Sequence, residues 1–168
     1  MIFPGAGVFK RGWEPEKFVA LISRLRQQTA QAIILTGGPG EIQIGDYITG
    51  KLPAGAVNNL IGKTSLINLV DLVGNAALVI ANETSAIHLA AATQTKSVCI
   101  LGGGHFERFA PYPTYMTHGP VCIFSKLQCF CCSWNCKFKI AENEPYPCIS
   151  IVDIESVLAE CLKLLAEN

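Results

Sequence analysis

The feature that most constrains this chain is the alternation of short apolar runs with amphipathic helical patterns. The runs carry apolar residues at successive positions and end in glycine or polar residues, at 32–35, 76–81 and 97–101. Such runs are typical of parallel strands that are buried on both faces of a sheet. Ile2-Phe3 predicts a further strand, and residues 57–61 predict a weaker one.

Helical patterns separate these runs. From Pro15 to Gln28, apolar residues recur at i, i+3, i+4 and i+7, and proline suits a first helical turn. Further helices are predicted over 65–73, with Ser65 as a cap, over 85–93 and over 150–165. Alternating strands and helices predict an α/β fold with a Rossmann-like parallel sheet and helices on both faces.

Composition narrows the function classes. The 168 residues suit one domain over 1–168, half of them are hydrophobic, 15% are charged, and the net charge is zero. This excludes a disordered chain and argues against nucleic acid as a partner. No apolar stretch reaches the ~18 residues of a transmembrane segment, and no signal peptide opens the chain, so a cytoplasmic protein is expected. Because the chain starts almost inside a strand, we expect a piece of a longer protein, and a naturally short protein is the alternative.

The segment 106–149 differs from the α/β core over 1–105 and from the final helix over 150–168. It is rich in Gly, Pro, Cys and aromatic residues and shows little periodicity. So long an irregular segment needs a local tie, which a metal, disulfides or packing against a partner domain would supply.

Six of the eight cysteines lie in this segment. The C-x₂-C and C-x₃-C spacings, with one later cysteine, predict a structural zinc site of four thiolates. Its ligands would be Cys129, Cys132, Cys136 and Cys148. Cys131 could replace one of them, and disulfides or free buried thiols remain alternatives.

Four polar or glycine-rich segments follow predicted strands, at 4–13, 36–41, 82–88 and 102–108. In an open parallel sheet, ligands bind beyond the carboxyl ends of the strands. We therefore expect these segments to converge on one site.

The strongest segment joins a buried strand to a helix at residues 82–92. The first-turn N–H groups of Thr84, Ser85 and Ala86 would face a phosphate, since a helix start carries about half a positive charge. His88 lies one turn further on. The alternative is ordinary capping by Thr84 or Ser85, with His88 a satisfied, half-buried histidine.

Two other segments add weaker signals. Gly5-Ala6-Gly7 permits close approach of the backbone to a ligand, and Lys10 or Arg11 would neutralise a diphosphate. Glu41 follows Gly37-Gly38-Pro39-Gly40 and would accept hydrogen bonds from a ribose or base. A solvated basic pair and a simple turn are the alternatives. The chain has neither the dinucleotide glycine fingerprint nor a P-loop.

Together these segments resemble glycosyltransferase family 9, the ADP-heptose:lipopolysaccharide heptosyltransferases. The resemblance rests on four motifs in register over about the first 105 residues. They are Pro4-Gly5-Ala6 with Lys10-Arg11-Gly12-Trp13, Gly37-Gly38-Pro39-Gly40-Glu41, Gly62-Lys63-Thr64-Ser65-Leu66, and Asn82-Glu83-Thr84-Ser85 continuing to His88-Leu89-Ala90-Ala91-Ala92.

The resemblance implies the C-terminal half of a GT-B glycosyltransferase and roles for particular residues. Thr84, Ser85 and His88 would surround the donor diphosphate. Glu41 would face the nucleoside, and Thr64 would lie near the base. The full predicted donor site is Gly5, Ala6, Lys10, Arg11, Glu41, Thr64, Glu83, Thr84, Ser85 and His88. Three departures put the heptose specificity in question: Glu83 replaces the family's Asp, Ser85 replaces its Gly, and the Lys-x-Trp spacing is one residue longer.

By this resemblance the chain is the donor-binding domain of an inverting glycosyltransferase that needs no cofactor. A nucleotide-diphosphate sugar would bind here, whereas the catalytic base and the glycan or lipid-linked acceptor would require an N-terminal domain that this chain lacks. The fragment alone is therefore predicted to be inactive, and the full protein to work in the cytoplasm or at the inner membrane face. A non-catalytic sugar-nucleotide-binding module and a zinc-stabilised interaction domain are the alternatives.

Overall fold

Six short parallel strands form the centre of the molecule in a computed structural model that describes residues 1–167. Asn168, the last residue of the predicted domain, lies outside the described residues. The strands are β1 (Ile2–Phe3), β2 (Ile34–Leu35), β3 (Asn58–Asn59), β4 (Val79–Asn82), β5 (Ser97–Ile100) and β6 (Val121–Ile123). They lie in the order β3-β2-β1-β4-β5-β6, and every neighbouring pair is parallel. The predicted parallel α/β sheet is confirmed.

Helices connect the strands. They are α1 (Pro15–Gln28), α2 (Ile42–Gly50), α3 (Leu66–Gly74), α4 (Ser85–Ala92), α5 (Pro147–Ser150) and α6 (Ile154–Ala166). Ser65 caps α3 as predicted, because its hydroxyl accepts a hydrogen bond from the Asn68 N–H at 3.2 Å. The last helix starts later than predicted, because Asp153 caps it by accepting from the Ser156 N–H at 2.8 Å.

Apolar residues alternate between the two faces of the sheet. Ile80, Val98 and Ile100 join the cluster under α1, α2 and α6, whereas Val79 and Cys99 join the cluster under α3 and α4. This period of two is what a strand buried on both faces requires. Helices therefore cover both faces, as predicted.

The segment 106–149 is not wholly irregular. It contributes β6, which pairs with β5 so that Cys122 lies opposite Cys99. Much of the rest packs on this same domain, because Phe130 and Trp134 contact the main core cluster. Packing within the chain therefore supplies the tie that the sequence required.

The strand order reverses between β1 and β4, since β2 and β3 continue on one side and β5 and β6 on the other. Such a reversal opens a crevice at the carboxyl ends of the two central strands. The loops that follow β1 and β4 border this crevice. None of the helices within residues 1–167 is long and apolar enough to cross a membrane.

Candidate functional site

Two adjoining cavities occupy the carboxyl edge of the sheet. The first cavity, of about 660 Å³, lies among the loops after β1, β2 and β4. The second cavity, of about 310 Å³, lies between the β4–α4 junction and the residues that follow β5. Both volumes are in the range of small-molecule sites, roughly 300–1,000 Å³. The cavities share Ala6, Glu83, Thr84 and Ser85, so one elongated ligand can span both.

The structure brings most of the predicted donor residues together. Those that line the first cavity are Gly5, Ala6, Glu41, Thr64, Glu83, Thr84 and Ser85. Arg11 and His88 line the second cavity. Lys10 is not among the described residues that line either cavity, and its carbonyl accepts a hydrogen bond from the Tyr146 N–H at 2.7 Å. Of the two basic residues that the sequence left open, Arg11 thus borders the site and Lys10 does not.

A buried amide fixes the loop after β1. Asn82 ends β4, and its Nδ2 donates to the carbonyls of Pro4 and Gly5 at 2.9 and 3.0 Å. Its Oδ1 accepts from the Trp13 N–H at 3.0 Å. Asn82 thus holds both ends of the segment that carries Arg11. The sequence analysis included Asn82 in a motif but did not predict that it fixes the loop after β1. A buried amide side chain at the end of a strand could have indicated this role.

Glycines let the Glu41 carboxylate lie between two loops. Its Oε2 accepts from the Gly38 N–H at 2.8 Å. A Cβ at Gly5 would lie 1.6 Å from Glu41 Oε1, and a Cβ at Gly37 would lie 2.1 Å from Oε2. Neither position can therefore carry a side chain while the carboxylate keeps this place at the wall of the first cavity.

The start of α4 faces both cavities. Ser85 is the exposed first residue of the helix, and Thr84 precedes it as the cap. The Thr84 hydroxyl accepts a long hydrogen bond of 3.4 Å from the Ala86 N–H. This N–H was predicted to be free for a phosphate, but it is bonded to the cap residue. The helix still presents the positive end of its dipole to the shared part of the cavities.

A carboxyl and a guanidinium both line the second cavity, Glu83 at the β4–α4 junction and Arg11 in the loop after β1. Glu83 Oε1 and Arg11 Nε are buried and have no hydrogen-bond partner among the described residues. Burial raises the pKa of Glu83 to about 7, and the Arg11 charge opposes this rise. Buried polar groups normally have partners, so these two unpartnered atoms are exceptions at this part of the site.

His88 is held by a neighbour from another part of the chain. Its Nδ1 lies 2.5 Å from the Tyr112 hydroxyl, and the two rings stack with centroids 5.7 Å apart. Burial lowers the pKa of His88 and raises the pKa of Tyr112. At neutral pH the pair is therefore a neutral imidazole next to a protonated phenol.

Aromatic residues form the far wall of the second cavity. The residues from Cys131 to Trp134 dock on the glycine turn after β5 through bonds from the Cys131 and Ser133 N–H groups, 2.7 and 2.8 Å long. A Cβ at Gly104 would lie 2.1 Å from the Trp134 ring. Trp134 Nε1 in turn donates to His105 Nδ1 at 3.2 Å.

Sequence reasoning placed the segment 102–108, which contains His105, at this edge of the sheet, but it did not identify Phe109 and Trp134. The side chains of the wall are His105, Phe109 and Trp134, and the Arg11 guanidinium lies 5.0 Å from the centre of the Trp134 ring. The signal was present in the run Gly102-Gly103-Gly104, because three successive glycines indicate close approach by other atoms.

The predicted zinc site is not formed. Cys129, Cys132, Cys136 and Cys148 border one small void, but the rings of Phe130, Trp134 and Phe138 border it as well. Within residues 1–167, no group of three or more His, Cys, Asp or Glu side chains is placed to hold a metal ion. All eight cysteines have free thiols. The four thiols border the same void without forming a ligand set, which differs from the interpretation drawn from cysteine spacing.

The known proteins that this chain resembles in sequence and in structure include several heptosyltransferases. Lipopolysaccharide heptosyltransferase 3 of Escherichia coli K12 is 25% identical over 170 residues, which cover the whole chain and 46% of that protein. The structure of E. coli ADP-heptose lps heptosyltransferase II superposes with a TM-score of 0.76 at 20% identity, over 98% of this chain and 45% of that one. The iron-containing heptosyltransferase TibC, in complex with ADP-D-beta-D-heptose, gives 0.69 at 17% identity, over 97% and 44%.

The chain thus spans about half the length of the relatives it matches. The family model described as glycosyltransferase family 9 (heptosyltransferase) matches residues 1–137, which is most of the chain. This protein belongs to glycosyltransferase family 9.

Proposed function

We propose that this domain binds the nucleotide-sugar donor of an inverting, heptosyltransferase-like glycosyltransferase. The observation that carries the proposal is the pair of connected cavities at the strand-order reversal, where the start of α4 and Arg11 face the same space. A helix start and a guanidinium are the two groups that proteins commonly use for phosphate.

The donor would extend across both cavities. Its nucleoside would lie in the first cavity between Glu41 and Thr64, and its diphosphate would lie at Thr84 and Ser85. The glycosyl group would then reach the second cavity, against the aromatic wall that contains Trp134. One solved relative is named as a complex with ADP-D-beta-D-heptose, which supports an ADP-heptose-like donor here.

The chemistry of this half is charge stabilisation. When the glycosidic bond to the donor breaks, negative charge develops on the departing nucleoside diphosphate. The positive end of α4 and the Arg11 guanidinium would stabilise that charge without rearrangement, which is the main electrostatic contribution an enzyme makes. The acceptor, a glycan or lipid-linked glycan, and the catalytic base would belong to the other half of the full-length enzyme. That the full-length protein acts in the cytoplasm or at the inner membrane face stays a prediction.

Binding without catalysis is the second candidate. Ser85 places a hydroxymethyl group at the exposed helix start, and Glu83 is a carboxyl with a pKa of about 7 at the diphosphate subsite. Both residues depart from the Gly and Asp that the family resemblance implies, and both would alter contacts at the anomeric carbon. Turnover of a sugar nucleotide by the full-length protein would distinguish an enzyme from a binding module.

The binding site is tested with a double variant. Thr84→Ala with His88→Ala removes two polar contacts to the diphosphate, and hydrogen bonds to charged groups are worth about 1.5–3 kcal/mol each. We expect the affinity for ADP, measured by calorimetry, to fall at least about tenfold.

Thr117→Ala with His118→Ala is the matched control, because both residues are exposed and lie outside the two cavities. Its affinity should equal that of the unmodified chain. Unchanged affinity in the Thr84 and His88 variant would reject the site.

A further inference from the structure

Tyr112 occupies one of the two ring nitrogens of His88. The tyrosine comes from the segment after β5, 24 residues along the chain, and its hydroxyl lies 2.5 Å from His88 Nδ1. The ring planes differ by only 12°, so the contact is stacked as well as hydrogen-bonded. Because Nδ1 is occupied, Nε2 is the ring nitrogen left for a ligand in the second cavity, which His88 lines.

The direction of this hydrogen bond decides what His88 offers a ligand. If the phenol donates to Nδ1, the neutral ring carries its proton on Nε2 and can donate to an anion. If Nδ1–H donates to the phenol, Nε2 presents a lone pair, which repels phosphate oxygens. Among the described residues, His88 is the one hydrogen-bond partner of the Tyr112 hydroxyl, so donation to Nδ1 is the arrangement that uses the phenol proton within the protein.

We infer that Tyr112 is a positioning residue, which donates to His88 Nδ1 and so keeps the Nε2–H of His88 available to the diphosphate of the bound ligand. The inference rests on the proposed function for its ligand, but the tautomer itself is a property of the chain without ligand. His88 is thereby a hydrogen-bond donor at pH values where its ring is uncharged.

Several other ionisable groups surround the pair. Arg11, Glu83 and His105 line the same cavity as His88. Burial raises the pKa of Tyr112, and Cys99 in β5 and Cys122 in β6 add to this rise, so the phenol stays protonated. Because Glu83 and His105 also titrate, the absolute affinity for ADP will vary with pH for reasons unrelated to Tyr112. The test therefore compares two proteins at each pH.

The first experiment measures ADP affinity of the unmodified chain and of Tyr112→Phe from pH 8 to pH 5. At pH 8 we expect the variant to bind about three- to tenfold more weakly, as for the loss of one hydrogen bond. As pH falls through the pKa of His88, both ring nitrogens become protonated in either protein, and the ratio of affinities should approach one. Tyr115→Phe is the matched control, since Tyr115 is 82% exposed, and it should leave affinity unchanged at every pH.

A constant ratio across the pH range would mean that Tyr112 supports the structure only, and would overturn the inference. The same substitutions in a His88→Ala background sharpen this test. There Tyr112→Phe should have no further effect on ADP affinity, because the group that it positions is gone. A loss that persists without His88 contradicts the proposed role.

The second experiment reads the tautomer directly from ¹⁵N chemical shifts of the His88 ring in the ligand-free chain. The expected result is a protonated Nε2 and an unprotonated, hydrogen-bonded Nδ1 at pH 8. Removing the phenol should raise the pKa of His88, because the donated hydrogen bond favours the neutral ring. A proton on Nδ1 would overturn the inference. A chain with the expected tautomer but no affinity for ADP would instead reject the proposed function.

Discussion

The two walls of the site are built in different ways. The core wall, made of the loops after β1, β2 and β4, is positioned by hydrogen bonds, above all those of Asn82. The aromatic wall, made of His105, Phe109 and Trp134, is positioned on the Gly102–Gly104 turn, where aromatic rings pack directly on glycine backbone. The core wall carries charge and hydroxyl groups suited to a diphosphate, whereas the aromatic wall gives shape to the space beyond it. We propose that the core wall contributes most to binding of the diphosphate and the aromatic wall most to selection of the group attached to it.

The largest effect is expected when the core wall loses its organiser. Asn82→Ala leaves two carbonyls and one N–H buried without their partner, and each unsatisfied group costs about 1–3 kcal/mol. The free energy of unfolding, measured with urea, should fall by about 3 kcal/mol or more, and ADP affinity should fall with it.

Asn75→Ala is the control for this change, since Asn75 is exposed and donates only to a carbonyl of its own helix. A surface change of this kind should alter stability by no more than about 0.5 kcal/mol. If the two variants were equally stable, the core wall would not depend on Asn82.

An intermediate effect is expected in the aromatic wall. Gly104→Ala places a methyl group where the Trp134 ring now lies, 2.1 Å from the nearest ring atom. Overpacking of this kind costs about 1–3 kcal/mol. Because the hydrogen bonds of Asn82 are kept, ADP affinity should fall less than in Asn82→Ala, and any loss should come through Arg11, which lies 5.0 Å from the Trp134 ring. Discrimination between ADP and a sugar nucleotide should decrease.

Gly50→Ala is the matched control, because a Cβ there meets no atom within 4 Å. Competition calorimetry with ADP and ADP-sugar compares the variants. A loss of ADP affinity in Gly104→Ala as large as that in Asn82→Ala would contradict the division of roles between the walls.

The smallest effect is expected from metal removal. The aromatic wall is held by rings and backbone hydrogen bonds, so treatment with a chelator should leave the melting temperature unchanged. In native protein, exposed Cys131 should react first with a thiol reagent, and fully buried Cys99 and Cys161 last. All eight thiols should react after denaturation. One equivalent of zinc or iron in protein purified without chelator would show that the wall is metal-bound after all.

The same contrast explains what the sequence could predict. Arg11, Glu41 and Thr84 lie in loops that follow buried strands, so strand order alone places them at one edge. Trp134 could not be placed this way. Trp134 and two residues just before it, Cys131 and Ser133, have φ values of 51–65°. This left-handed conformation is uncommon for residues other than glycine, so nothing in the sequence indicates it here. Cysteine spacing then favoured a metal, although the described residues contain no group of side chains placed to hold one.

Helix α2 was also missed, for a related reason. Gly45 lies in its middle and weakens the helical pattern, yet a Cβ there would lie 2.7 Å from the Ile61 side chain. The glycine serves close packing of the helix against the residues that follow β3. Long-range packing of this kind is invisible to a local pattern.

A further cavity can be compared with the proposed ADP site. At the opposite edge of the sheet, an apolar cavity of about 230 Å³ is lined by residues that include Met1, Leu78 and Leu165. It lacks the paired helix start and guanidinium that a diphosphate requires. Its size alone therefore gives no reason to expect ADP there.

The most direct test is an ADP titration of the ¹⁵N-labelled chain, followed through backbone amide shifts. We predict saturable changes at Gly5, Glu41, Thr64, Thr84 and Ser85, with Met1, Leu78 and Leu165 at the opposite edge unaffected. A folded chain whose amides do not respond to millimolar ADP, or respond mainly at the opposite edge, would contradict this prediction.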